Sequence, residues 1–169
     1  MRAHHTRSLM LIVLIGFVST AVVQAATIKA SGPASLTESY RRAFEARDLN
    51  GIMAVYAPES QLFVFDAIPP RDYPNAAAYR KDWQGILQAF PGPVHDTVQQ
   101  FAVVVVGPVA YGHHIEDVRL TRKNGSVWHV VLRVTDVYRK SGNDWKIVQE
   151  HVSWPVDPMT GKADFLSRP

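Results

Sequence analysis

Apolar residues along the chain change their spacing once, near residue 93, and the change separates a helical part from a stranded part. Leu36, Tyr40, Ala43 and Phe44 recur at the three-and-four spacing of one helix face. Ser35 and Glu38 ahead of it fit a capping box, the Ser side chain accepting from the first turn and Glu38 reaching back. Asp48 is placed to cap a second, short helix carrying Ile52, Met53, Val55 and Tyr56, which Pro58 ends. Residues 62–65 read as a short apolar strand, closed by Asp66 and a turn-rich stretch containing Pro69 and Pro70. Asn75 is placed to cap a third helix with Tyr79, Trp83, Ile86, Leu87 and Phe90 on one face; Pro91, Gly92 and Pro93 stop it.

From there the chain is strand and turn. Residues 94–106 are rich in β-branched side chains, Gly107 and Pro108 break the run, and 109–122, 126–139 and 145–154 follow as strands. Helices first and strands afterwards predict an α+β domain, its helices covering one face of a curved antiparallel sheet.

Turn chemistry then predicts which side chains share a face. A two-residue turn at Asn124-Gly125 pairs Lys123 with Ser126, which sets His113 opposite Asp136 and Glu116 opposite Arg133. A turn at Gly142-Asn143 sets Val134 opposite His151. Side chains alternate along a strand, so Tyr111, His113, Trp128, Asp136, His151 and Ser153 fall on one face, expected to meet the helices. His114, Glu116, Arg133 and Glu150 fall on the other, a solvated or dimer-forming face. A single bulge would exchange the faces beyond it.

Composition removes several function classes. Residues 1–7 are basic, 9–23 are almost wholly apolar, and Val23 and Ala25 stand at the −3 and −1 positions of a cleavage site. This is the layout of a secretory signal over residues 1–25, followed by a linker over 26–33 and a domain over 34–169. Export and cleavage near Ala25 are the expectation, with no stable membrane span afterwards. Two of the 18 basic residues and none of the 15 acidic ones precede the cleavage point, so the remainder carries a net charge near +1. No basic stripe points to nucleic acid. The absence of cysteine removes thiol nucleophiles, thiolate metal sites and disulfides. No phosphate loop, nucleotide fingerprint or Ser/His/Asp motif is present, and neither cofactor nor metal is expected.

The candidate chemistry is a carboxylate between two imidazoles: Asp136 between His113 and His151, with Asp66 at the pocket mouth as a further acid–base group. Tyr79, Trp83, Tyr111 and Ser153 are candidate ligand contacts. Adjacent His113 and His114 point to opposite faces and cannot chelate together.

Element order and residues together resemble the nuclear transport factor 2-like, or SnoaL-like, superfamily, which includes ketosteroid isomerase. The residues that carry it include Phe65-Asp66, Pro69-Pro70, the stretch from Ala78 to Trp83, Tyr111 to His113, Arg133 to Thr135, and Glu150 to Pro155. The resemblance implies a cone-shaped sheet over helices, a pocket at its open end holding a small organic ligand, and a homodimer through the outer sheet face. It places Asp66, Trp83, His113, Arg133 and His151 at the pocket, with Arg133 as an anion clamp, although turn-derived register puts Arg133 on the opposite face. It implies either a binding domain or an isomerase, dehydratase or hydrolase acting on a small carbonyl or carboxylate compound. The isomerase's Tyr and protonated Asp are not both recognisable.

Overall fold

The computed structural model describes residues 32–167. The expected export segment, residues 1–25, and most of the expected linker lie outside the described residues. No described helix is long and apolar enough to cross a membrane.

Helix α1 spans Pro33–Glu45, α2 Leu49–Ala54, and α3 Ala76–Ala89. Asp48 accepts from the Asn50 N–H at 3.0 Å and Asn75 from the Ala78 N–H at 2.9 Å, so both expected caps form. The expected capping box does not. Helix α1 begins at Pro33, whose fixed φ suits the first turn, and Ser35 donates back to the Gly32 carbonyl at 2.7 Å. Glu38 bonds instead to Arg41 at 2.9 Å and Arg42 at 2.6 Å, ion pairs that hold its carboxyl down at about 2. Aromatic edges join the helices: Tyr40 and Phe44 lie 5.7 and 4.9 Å from the Trp83 ring, contacts worth ~0.5–1.5 kcal/mol each beyond area burial.

Six strands form one sheet: β1 (Phe63–Phe65), β2 (Asp72–Tyr73), β3 (Val94–Val106), β4 (Val109–Thr121), β5 (Val127–Ser141) and β6 (Asp144–Ser153). Their order is β2-β1-β6-β5-β4-β3, curved and unclosed. The architecture is α+β as expected, but the sheet is mixed, because β1 joins β6 in parallel.

Both expected registers change, for two local reasons. In the β4–β5 turn, Arg122 and Ser126 still bond and Gly125 takes the left-handed conformation (φ 82°), so three residues turn the chain instead of two. His113 therefore opposes Thr135, Asp136 opposes Gly112, and Ile115 opposes Arg133. The β5–β6 turn pairs Ser141 with Asp144 as expected, but Val148 is an extra residue in β6. Beyond that bulge His151 opposes Thr135 and Glu150 opposes Asp136. A third irregularity falls in β3, between Gln99 and Ala102, where Gln100 has φ 50°.

One-residue shifts exchange faces. The inner face now carries His114, Glu116, Val118 and Leu120 of β4, Val130, Val134, Asp136 and Tyr138 of β5, and Ile147 and Glu150 of β6. Gly112 lies on this curve, where a Cβ would come within 2.7 Å of the Ala102 carbonyl oxygen. After β6 the chain folds back: Phe165 accepts from the Val131 N–H at 2.7 Å and stands edge-on to Trp154 at 4.8 Å.

Candidate functional site

Between the inner sheet face and the helices lies a cavity of about 120 Å³. Tyr40 and Phe44 reach it from α1, Tyr79 and Trp83 from α3, and Trp128 and Trp154 from the sheet side. Three acids join them: Asp66 after β1, Glu116 on β4 and Glu150 on β6. No Lys, Arg or His is among the lining residues. An apolar cavity of roughly 150 Å³ accommodates benzene, so this one suits a single ring or a molecule of comparable size.

Its polar wall continues inward as a connected cluster. His114 Nε2 bonds Glu116 Oε1 at 3.0 Å, and His114 Nδ1 stands 3.8 Å from Asp136 Oδ2. Asp136 Oδ2 accepts from the Tyr138 hydroxyl at 2.8 Å. Across the strand from Asp136, Glu150 accepts from Tyr79 at 2.6 Å and from Tyr56 at 2.9 Å. His114, Glu116, Asp136 and Glu150 are each at most 6% exposed. Buried polar groups ordinarily find partners, and the exception among the cavity residues is the Trp83 indole N–H, which has none among the described residues.

Burial sets the electrostatics. It pushes the Asp136 carboxyl up to about 6, against the pull of His114 and the Tyr138 hydroxyl. Burial, then the Asp136 charge, drives Glu150 well above the usual carboxylate range despite its two tyrosine donors. Burial opposes charge on His114, but the bond to Glu116 and the nearby Asp136 outweigh it and raise its pKa. At the mouth, burial lifts Asp66 to about 6, while the Ala67 N–H bonded to it at 2.5 Å works the other way. Asp96 on β3, 3% exposed with neither carboxylate oxygen partnered, is pushed to about 9 by burial and then by Glu116. The interior thus holds more acids than it can ionise together, and it keeps protons at neutral pH.

The sequence profile of the SnoaL-like domain matches residues 34–157, most of the chain. The chain belongs to the SnoaL-like domain family. Solved structures agree on the fold of this SnoaL-like protein. A nuclear transport factor 2-like protein of unknown function from Pseudomonas putida KT2440 is similar at TM-score 0.70 and 29% identity, covering 83% of this chain and 100% of that one. A superfamily member from Salmonella enterica serovar Typhimurium LT2 gives TM-score 0.65 and 18% identity over 73% and 89% of the two chains. A proposed dehydratase of the same fold from Streptomyces avermitilis gives 0.63 and 13%, over 71% and 91%. No curated protein matches the chain.

Within this SnoaL-like fold, Asp66, Tyr79 and Trp83 line the cavity. Asp136 is inside, behind the lining, one strand from Glu150. The expected meeting of Asp136 with His113 and His151 is corrected: those two imidazoles are exposed on the outer face, in one row with Thr135. Arg133, Tyr111 and Ser153 also point to the outer side, so the expected anion clamp does not reach the cavity. The histidine beside Asp136 is His114, and the cavity acids on the sheet are Glu116 and Glu150. Turn-derived register placed all three on the wrong face. The alternation Val118-Arg119-Leu120 carried the signal, since it sets even-numbered β4 residues in the core with Val130 and Leu132.

Among the described residues no group of three or more His, Asp or Glu is arranged to hold a metal ion.

Proposed function

We propose that this SnoaL-like domain binds a compact, ring-sized organic molecule that carries an oxygen function and no negative charge. The observation that carries this reading is the cavity wall: aromatic rings, three acids and no cation. The unpartnered Trp83 N–H and proton-bearing carboxyls are donors for a hydroxyl or carbonyl oxygen. A carboxylate ligand would meet Glu116 and Glu150 with nothing to balance it.

Asp66 supports acid–base turnover on that ligand, of the isomerase or dehydratase type. Its carboxyl titrates at about 6, so near neutral pH it is ionised enough to take a proton and basic enough to hold it. Screening compact hydroxy and keto compounds by NMR tests this. Turnover by the native protein should rise with pH through about 6. Asp66→Asn should lower it by roughly 10²–10⁴-fold while the fold persists. An undiminished rate in Asp66→Asn removes Asp66 as the base. Binding without turnover is the second reading. It is favoured by the saturation of Glu150, both of whose oxygens already accept tyrosine hydroxyls.

Homodimerisation through the outer face is supported by a row of Phe63, Gln149, Val137, Tyr111 and Val104, apolar but for Gln149, beside Phe65 and the exposed His151. Sedimentation at micromolar concentration should give twice the monomer mass, falling to the monomer in Tyr111→Glu. A native protein that sediments as a monomer refutes the proposal.

A further inference from the structure

Three features on the cavity wall point the same way. Its rings come from every side: Tyr40 and Phe44 on α1, Tyr79 and Trp83 on α3, Trp128 and Trp154 opposite. The negative face of an aromatic ring attracts cations, most strongly where water is excluded. Its ionisable lining groups, tyrosines aside, are all acids: Asp66 at the mouth, Glu116 and Glu150 deeper in. Basic side chains that stand against the lining are engaged elsewhere: His114 by Glu116 at 3.0 Å, Arg122 over the Phe90 ring at 5.1 Å, and Arg47 by the carbonyls of Leu87, Phe90 and Gly92. Asp136 stands behind the lining acids, one strand from Glu150. The interior has therefore gathered more carboxyls than its one buried imidazole, His114, can balance.

We propose that the ligand of this cavity is a small organic cation, an ammonium compound whose aromatic or compact aliphatic body also carries the oxygen function, held by the ring faces and by Asp66, Glu116 and Glu150. This names the ligand class of the site proposed above and rests on that reading. The cation supplies what the fold lacks, and on binding it favours the ionised form of the acids around it. Proton release on binding follows, and so does a tighter complex at higher pH. The group that reports it is Asp66, faced by Asp82 and Tyr79 of α3 and by Tyr73 of β2. Its carboxyl titrates at about 6, so affinity rises from pH 5 to pH 7.

Three probes of one size separate the cases: benzylammonium, benzyl alcohol and benzoate, followed by calorimetry and by NMR of the Trp83 indole. Benzylammonium should bind at least tenfold more tightly than benzyl alcohol at pH 7, benzoate not at all. Benzylammonium affinity should fall severalfold at pH 5, and Asp66→Asn should flatten that dependence while retaining the native indole spectrum. Benzyl alcohol binding as tightly as benzylammonium would overturn the cation and leave the pocket reading standing. Benzoate binding most tightly would overturn both. Three probes that leave the Trp83 resonance unmoved would remove the pocket itself.

Discussion

Thermal stability of the protein should fall as pH rises from about 4 to 9, opposite to the usual loss on acidification. The cause is the set of buried acids whose folded pKa values lie above their unfolded ones: Asp136 at about 6, Asp96 at about 9, and Glu150, held well above the usual carboxylate range by burial. A raised carboxyl contributes stability fully below its unfolded pKa and loses it as pH climbs through the folded one, because the native state binds the extra proton. His114, also raised, has the same sign: its contribution is present below the ordinary imidazole value and lost above. Asp136 alone, lifted to about 6, is worth ~3 kcal/mol, lost between about pH 4 and 6. For a domain of this size that is a melting shift of roughly 6–12 °C. Glu38, held down at about 2 by exposed ion pairs, has the other sign: its contribution, screened by solvent, is present above pH 4.5 and lost as pH falls toward 2. Scanning calorimetry from pH 4 to 9 should therefore place the maximum near pH 4. Asp96→Asn should shallow the alkaline limb. A flat profile, or a maximum above pH 8, would mean that these carboxyls are solvated or paired in solution.

The second large effect concerns Glu150. Its removal as Glu150→Ala leaves the Tyr56 and Tyr79 hydroxyls, both buried, without their acceptor and opens a void beneath the cavity. The expected loss is about 2–5 kcal/mol in urea denaturation at pH 7. Glu150→Gln should lie within ~1 kcal/mol of the native protein, because a neutral amide replaces a carboxyl that burial already keeps neutral. Its oxygen can accept from a tyrosine and its nitrogen can donate toward Asp136 on the neighbouring strand. Equal losses in the two variants would show that an ionised Glu150 is required.

Much of the architecture could be read from local chemistry. Asn75 and Asp48 announce their helices because capping is a contact of two or three residues. The strand limits follow from Gly107, Gly125 and Gly142, each at a turn with positive φ. The site was less legible because face assignment depends on counting across turns. Gly125 fits a two-residue turn and a three-residue turn equally well as a letter, and the difference moves every β4 side chain to the other face. Val148, an apolar residue among apolar residues, gives no sign that it bulges, yet it sends Glu150 inward and His151 out. Asp66, Tyr79 and Trp83 kept their places because helix spacing and a strand end position them without reference to the meander.

The two faces make opposite claims on a ligand, and a crystal structure soaked with benzylammonium and benzyl alcohol decides between them. Density is expected between Trp83 and Trp128, with the polar end of the probe turned toward Glu116 and Glu150. An empty cavity, with density instead on the outer face between His113 and His151, would contradict the assignment of the site to the inner wall.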